Sequence, residues 1–105
     1  MYSLQFDEKA LQNIEKFPKE VQERIINKLQ QAKENPYHYF VKLTNREEFK
    51  LRVGEYRVIA DINDSKIVIL VLFANHRKKV YKRFKWYREN NSFQSYNNTT
   101  IYKKS

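Results

Sequence analysis

Phe49-Lys50-Leu51-Arg52-Val53-Gly54-Glu55-Tyr56-Arg57-Val58-Ile59-Ala60 reads as two short strands joined at Gly54, the only glycine in a chain of 105 residues. A two-residue Gly-Glu connection fits a type II′ turn, because glycine tolerates positive φ at the first central position and that twist suits the flanking strands. The turn sets the register: Val53 opposite Tyr56, Arg52 opposite Arg57, Leu51 opposite Val58, Lys50 opposite Ile59 and Phe49 opposite Ala60. Side chains alternate across a strand, so Phe49, Leu51, Val53, Tyr56, Val58 and Ala60 form a face fit for burial, and Lys50, Arg52, Arg57 and Ile59 share the other. Two arginines directly across a strand pair repel each other, and the pairing is easier to understand where an anion lies between them. A solvated outer face with scattered charges is the plainer alternative, although sheet surfaces usually mix signs.

Downstream, Asn63-Asp64-Ser65 marks a second turn, and Ile67 to Ala74 runs for eight residues without a polar interruption. Such a run predicts a strand buried on both faces in the middle of a sheet. Asn75-His76-Arg77-Lys78-Lys79 then leaves the strand, and Val80, Phe84 and Tyr87 recur at helical spacing. Tyr81 lies beside that stripe, four residues after Arg77, so the two can share an exposed edge. Residues 89–105 are rich in Asn, Ser and Thr, have no period, and are expected to form a flexible tail to a domain spanning residues 1–88.

Upstream, Tyr2-Ser3-Leu4-Gln5-Phe6 alternates like a half-buried strand. Asp7 can cap a helix bearing Ala10, Leu11, Ile14 and Phe17 on one stripe. Pro18 starts a second helix, whose stripe of Val21, Ile25, Ile26, Leu29 and Ala32 stops at Asn35-Pro36. Tyr37 to Arg46 is less regular, and His38 reads as a loop or surface residue. The expected layout is β-α-α-β-β-β-α, a single small α+β domain with an antiparallel-rich sheet, helices on one face, and an open basic face carrying Lys50, Arg52 and Arg57.

The chain has no cysteine, so neither a disulfide framework nor a thiolate metal site is available, and a reducing cytoplasm is the natural setting. Two histidines are too few for a histidine-rich metal cluster, and no metal or cofactor is expected. The longest apolar run is too short to cross a bilayer as a helix, and the N-terminus lacks a basic region followed by an apolar run, so no membrane association or signal peptide is expected. The net charge of +9 is unevenly placed. Residues 1–41 balance six Lys/Arg against six Asp/Glu, whereas residues 42–88 carry thirteen against five. A concentrated basic field favours polyanions, either nucleic acid or an acidic protein partner.

Taken together, Lys42-Leu43, the hairpin from Phe49 to Ile59, the apolar strand and His76-Arg77-Lys78-Lys79-Val80-Tyr81 resemble the RelE branch of the RelE/ParE toxin superfamily. The Leu4-Gln5-Phe6 opening and the Phe17-Pro18-Lys19-Glu20-Val21 junction extend the resemblance over about residues 2–83. It implies a toxin of a type II toxin–antitoxin pair that enters the ribosomal A site and cleaves mRNA by attack of a ribose 2′-hydroxyl on the adjacent phosphate. It also implies a RelB-like acidic antitoxin that wraps and silences the toxin in a hetero-oligomer. Carried over by position, Lys50, Arg52, Arg57 and Tyr81 match catalytic residues, and Arg77 is a looser match. Lys42, Lys78 and Lys79 are expected to bind RNA. Some relatives have a second lysine two positions before the one matching Lys50; this chain has Glu48 there. The acid/base role is therefore open between Glu48 and His76, whose ordinary pKa lies near neutrality.

Three activities fit these features: a ribosome-dependent endoribonuclease, a non-enzymatic ParE-like inhibitor of DNA gyrase, and a catalytically inactive nucleic-acid-binding relative. The basic set with Tyr81 favours the first, since a pure inhibitor has no need of a phosphate-stabilising cluster.

Overall fold

The computed structural model describes residues 1–90. In chain order these form β1 (Ser3–Phe6), α1 (Glu8–Glu15), α2 (Lys19–Ala32), α3 (Pro36–Tyr39), β2 (Phe40–Lys42), β3 (Phe49–Val53), β4 (Tyr56–Asn63), β5 (Val68–His76) and α4 (Val80–Asn90). One five-stranded sheet has the order β1-β5-β4-β3-β2, with β1 parallel to β5 and the other neighbours antiparallel. The α+β class and the antiparallel-rich sheet are as expected. The irregular stretch after Asn35 resolves into the single turn of α3 and the short edge strand β2. Glu89 and Asn90 continue α4, and the rest of the expected tail lies outside the described residues.

The β3–β4 hairpin has the register read from the sequence, including Arg52 opposite Arg57. Gly54 has φ +58°; among the described residues only Asn45 and Ile67 join it at positive φ. Glu55 therefore has negative φ, as a type II′ turn requires and a type I′ turn forbids. Ile67, expected to begin the central strand, instead sits exposed in the turn before it.

On one sheet face α1 and α2 bury Ala10, Ile14, Val21, Ile25 and Leu29 against Leu51, Val58, Ala60, Ile69 and Val71. The other face is not bare. Ile59, Leu70, Leu72 and Phe73 pack under Val80 and Phe84 of α4, so the expected single helical face is corrected to helices on both faces. The physical reason lies in β5: an uninterrupted apolar strand presents apolar side chains to both sides, and each side must be covered. Ile59, expected on an open face, is fully buried by this arrangement.

A β-bulge interrupts the β4–β5 ladder. Ile59 pairs with Phe73, but the next residue, Ala60, pairs with Val71, leaving Leu72 as the extra residue of β5. Leu72 and Phe73 consequently both face α4, and every residue beyond them changes sides relative to simple alternation. Asn75 then falls on the face of Arg57, its partner in register, and His76 falls on the face of Tyr56.

Candidate nucleic-acid interface

α4 covers the α4-side face of the sheet only in part. Towards the hairpin turn that face carries a short cross-strand row, Arg52 on β3, Arg57 on β4 and Asn75 on β5, with Lys50 two residues from Arg52 on the same side. Each side chain is placed by strand alternation and by the turn at Gly54, which fixes the register of the row. Tyr81, in the first turn of α4 and 40% exposed, closes one end; Lys50 Nζ stands 5.7 Å from its ring centroid. A cation at that distance from an aromatic face is held by the ring quadrupole.

The arginines are anchored differently. Arg57 Nη1 donates to the carbonyl oxygens of Gly54 and Tyr56, both at 2.9 Å, so the turn itself fixes the guanidinium. Arg77 follows the end of β5; its backbone N–H donates to the Glu55 carbonyl at 2.7 Å, and its Nε donates to Glu55 Oε1. That hydrogen bond and the Arg77 charge hold the Glu55 carboxyl below its ordinary pKa. Arg52 is exposed. Arg24 of α2 reaches the same turn: a Cβ added at Gly54 would stand 3.1 Å from its Nη1. Arg24 and Asn75 were not signalled by the sequence, where Arg24 is one more charge off an apolar stripe and Asn75 depends on the bulge.

The remaining expected site residues lie elsewhere. His76 is on the opposite face, its ring 5.6 Å from Tyr56, which in turn packs 4.7 Å from Phe17. Its Nδ1 accepts the Lys78 backbone N–H at 3.1 Å. Glu48 lies on the α4 side but is 1% exposed and enclosed with Arg88, whose Nη1 is 3.2 Å from Oε2 and donates to Oε1 at 3.4 Å. Burial and then the Glu48 charge raise the pKa of nearby Asp61. Lys42, on the edge strand, borders a separate hollow with Arg46 and Arg88. Lys78 and Lys79 line a cleft between α1 and α4 that touches the row only at Asn75.

Among the described residues no group of three or more His, Cys, Asp or Glu is arranged to hold a metal ion, and no helix is long and apolar enough to cross a membrane. What the row offers is a group of cationic donors, one of them anchored by the turn, beside an exposed tyrosine, which suits a phosphate with a base next to it.

Residues 4–81 match the family described as the ParE toxin of the parDE type II toxin–antitoxin system. The mRNA interferase toxin RelE of Escherichia coli K12 is 32% identical over 81 residues, covering 74% of this chain and 85% of RelE. Among solved structures, the intact E. coli RelBE toxin–antitoxin complex matches with a TM-score of 0.62 and 31% identity, covering 72% of this chain and 96% of that one. The toxin–antitoxin complex RelBE2 of Mycobacterium tuberculosis shares the fold, with a TM-score of 0.68 at 22% identity over 72% of this chain and 91% of that one.

Proposed function

Since this chain belongs to the RelE/ParE superfamily of toxins from type II toxin–antitoxin systems, we propose that it is an endoribonuclease that cleaves mRNA in the ribosomal A site. The observation that carries this reading is the direct opposition of Arg52 and Arg57 on a partly uncovered sheet face, with Lys50 and Tyr81 beside them. Like charges across a strand pair cost stability, and a phosphate between them reverses the sign of that interaction.

The reaction is an internal transfer. The ribose 2′-oxygen attacks the adjacent phosphorus as its proton passes to solvent, the bond to the 5′-oxygen breaks, and that oxygen takes up a proton from solvent, leaving a 2′,3′-cyclic phosphate and a 5′-hydroxyl. Negative charge grows on the phosphoryl oxygens in between, where Arg57, already fixed by the turn carbonyls, stabilises it and Arg52 adds a second positive charge. Lys50 adds charge from the side of Tyr81, and Tyr81 presents its ring to a base of single-stranded RNA. Arg77, tethered to Glu55, completes the cationic rim at the turn. Glu48 and His76 have no part in proton transfer on this reading, one being enclosed with Arg88 and the other lying across the sheet.

The partners are mRNA, the ribosome and an antitoxin whose acidic segment neutralises the same row when the toxin is silent. The expected setting is the cytoplasm, where translation takes place. The family description names ParE, and this favours a second reading, a non-enzymatic gyrase inhibitor. That reading gives the opposed arginines no task.

The two are separated by adding purified protein to a cell-free translation reaction and, in parallel, to a gyrase supercoiling assay. Nuclease action predicts loss of translation that Arg57→Ala relieves at least 100-fold, on the scale of one lost transition-state donor, with supercoiling unchanged. Inhibited supercoiling with normal translation would establish the second reading instead.

A further inference from the structure

A cleft of about 630 Å³ opens between α1 and α4 at the end of β5, beside the cationic row but outside it. Its charged lining is cationic throughout: Lys9 from α1, Lys78 and Lys79 from the turn, and Lys82 and Arg83 from α4. None of the described residues lining it is acidic. Its two amides are also turned to donate. Asn13 Oδ1 accepts the Ala74 backbone N–H at 3.0 Å and Asn75 Oδ1 accepts the His76 N–H at 2.7 Å, which leaves each side chain its NH₂ group. The walls include aromatic surface, with Phe73 stacked on Tyr87 at 5.9 Å and Trp86 standing 61% exposed at the rim. A ligand for such a cleft must be anionic, rich in acceptors and equipped with a flat apolar face.

We propose that this cleft binds one nucleotide of single-stranded RNA next to the phosphate held by Arg52 and Arg57, with its base stacked on Trp86 and its phosphate among Lys78, Lys79 and Lys82. The inference rests on the RNA reading above and extends it to a second subsite on other elements. Asn75 joins the two, because it is the register partner of Arg57 and also lines the cleft. An acidic peptide would satisfy the charges and, through its carbonyls, the two amide donors, but a chain of acidic side chains offers no flat face to the exposed indole. A nucleotide engages all three, since a base offers ring face and acceptor edge together. The cleft volume falls in the range of small-ligand sites.

Trp86 is the only tryptophan in the chain, so its fluorescence reports on this cleft alone. The test titrates a single-stranded RNA hexamer into the purified full chain while following tryptophan emission, with anisotropy of end-labelled RNA as a second readout. The expected result is saturable quenching, an affinity weakened about tenfold or more by Trp86→Ala in the anisotropy readout, and a comparable loss in a Lys79→Glu/Lys82→Glu variant whose circular dichroism matches the parent. Arg57→Ala should still reach full quenching at saturating RNA. RNA that binds without quenching Trp86, quenching by polyglutamate but not by RNA, or displacement of RNA by inorganic phosphate at equal affinity would each overturn the proposal. Quenching without any cut in ribosome-bound mRNA would leave the cleft standing and remove the nuclease reading; a cut without quenching would do the reverse.

Discussion

Arg52 stands directly opposite Arg57 across the β3–β4 ladder, so two arginine side chains leave the same face of the sheet at one cross-strand position near the hairpin turn. Opposed like charges of this kind are destabilising, by roughly 0.2–1 kcal/mol in exposed sheets. Arg52→Ala should therefore raise the unfolding free energy measured in urea by an amount within that range, while lowering translation inhibition on the order of 100-fold. A variant that lost both stability and activity would mean that Arg52 holds the fold together, contrary to this account.

Gly54 anchors the register that creates the opposition. An L-residue at its φ of +58° costs about 1–2 kcal/mol, partly offset by about 0.4–1 kcal/mol from a less flexible unfolded chain. The nearest atom to an added Cβ is the end of the flexible Arg24 side chain, which can move aside. Gly54→Ala should accordingly destabilise the domain by about 1 kcal/mol in denaturant unfolding and reduce activity by more than the fraction unfolded explains, because Arg57 is fixed through the Gly54 carbonyl.

The buried Glu48 carboxylate pairs with the partly exposed Arg88, linking the approach to β3 with the last turns of α4. Removing one partner of such a pair costs about 3–5 kcal/mol. Arg88 is one-third exposed, which favours the lower end, about 3 kcal/mol, for Arg88→Ala. Adding Glu48→Gln to that variant should recover part of the loss, because the buried charge is then gone; a double-mutant cycle measures the coupling. Since Glu48 is given no chemical role, Glu48→Gln alone should retain cleavage per folded molecule.

Tyr2 and Tyr37 both donate their hydroxyl protons to Asp64 Oδ1, at 2.8 and 2.7 Å, pinning the N-terminal strand and α3 to the β4–β5 turn. Burial and then the hydrogen bond to Asp64 push the Tyr37 pKa up to about 12. The folded state therefore holds a proton that the unfolded chain releases near pH 10. The contribution is complete below the unfolded pKa and is lost as pH rises from about 10 to about 12. Unfolding midpoints measured across that window should fall more steeply for the parent than for Tyr37→Phe. Parallel slopes would remove the pin from the account.

The features legible in the sequence were those controlled by neighbours along the chain. Gly54 fixed all five pairs of the hairpin, and helical spacing located Ala10 and Ile14 of α1, Val21, Ile25, Leu29 and Ala32 of α2 and Val80 and Phe84 of α4, whereas Ile26 is exposed and Phe17 lies beyond the end of α1. The features that were not legible depend on partners far away in sequence. The apolar run of β5 required a cover on each face, yet alternation alone did not say that α4 would supply the second and bury Ile59. The bulge at Leu72 leaves no local mark, and it exchanges the sides of Asn75 and His76, which is why His76, one of the two acid/base candidates, packs on Tyr56 across the sheet from the cations. Alternation puts Glu48 on the face of Lys50 and Arg52, but its enclosure depends on Arg88, forty residues later. Arg24 reaches the turn only because α2 packs under the hairpin.

The most direct test maps RNA ends. Purified protein is added to ribosomes holding a defined mRNA with an empty A site, with Arg57→Ala as the paired control and mRNA without ribosomes as the second. A new 5′-hydroxyl end within the A-site codon is expected, and it should require both the ribosome and Arg57. Intact mRNA with a correctly folded toxin, or the same cut made by Arg57→Ala, would contradict it.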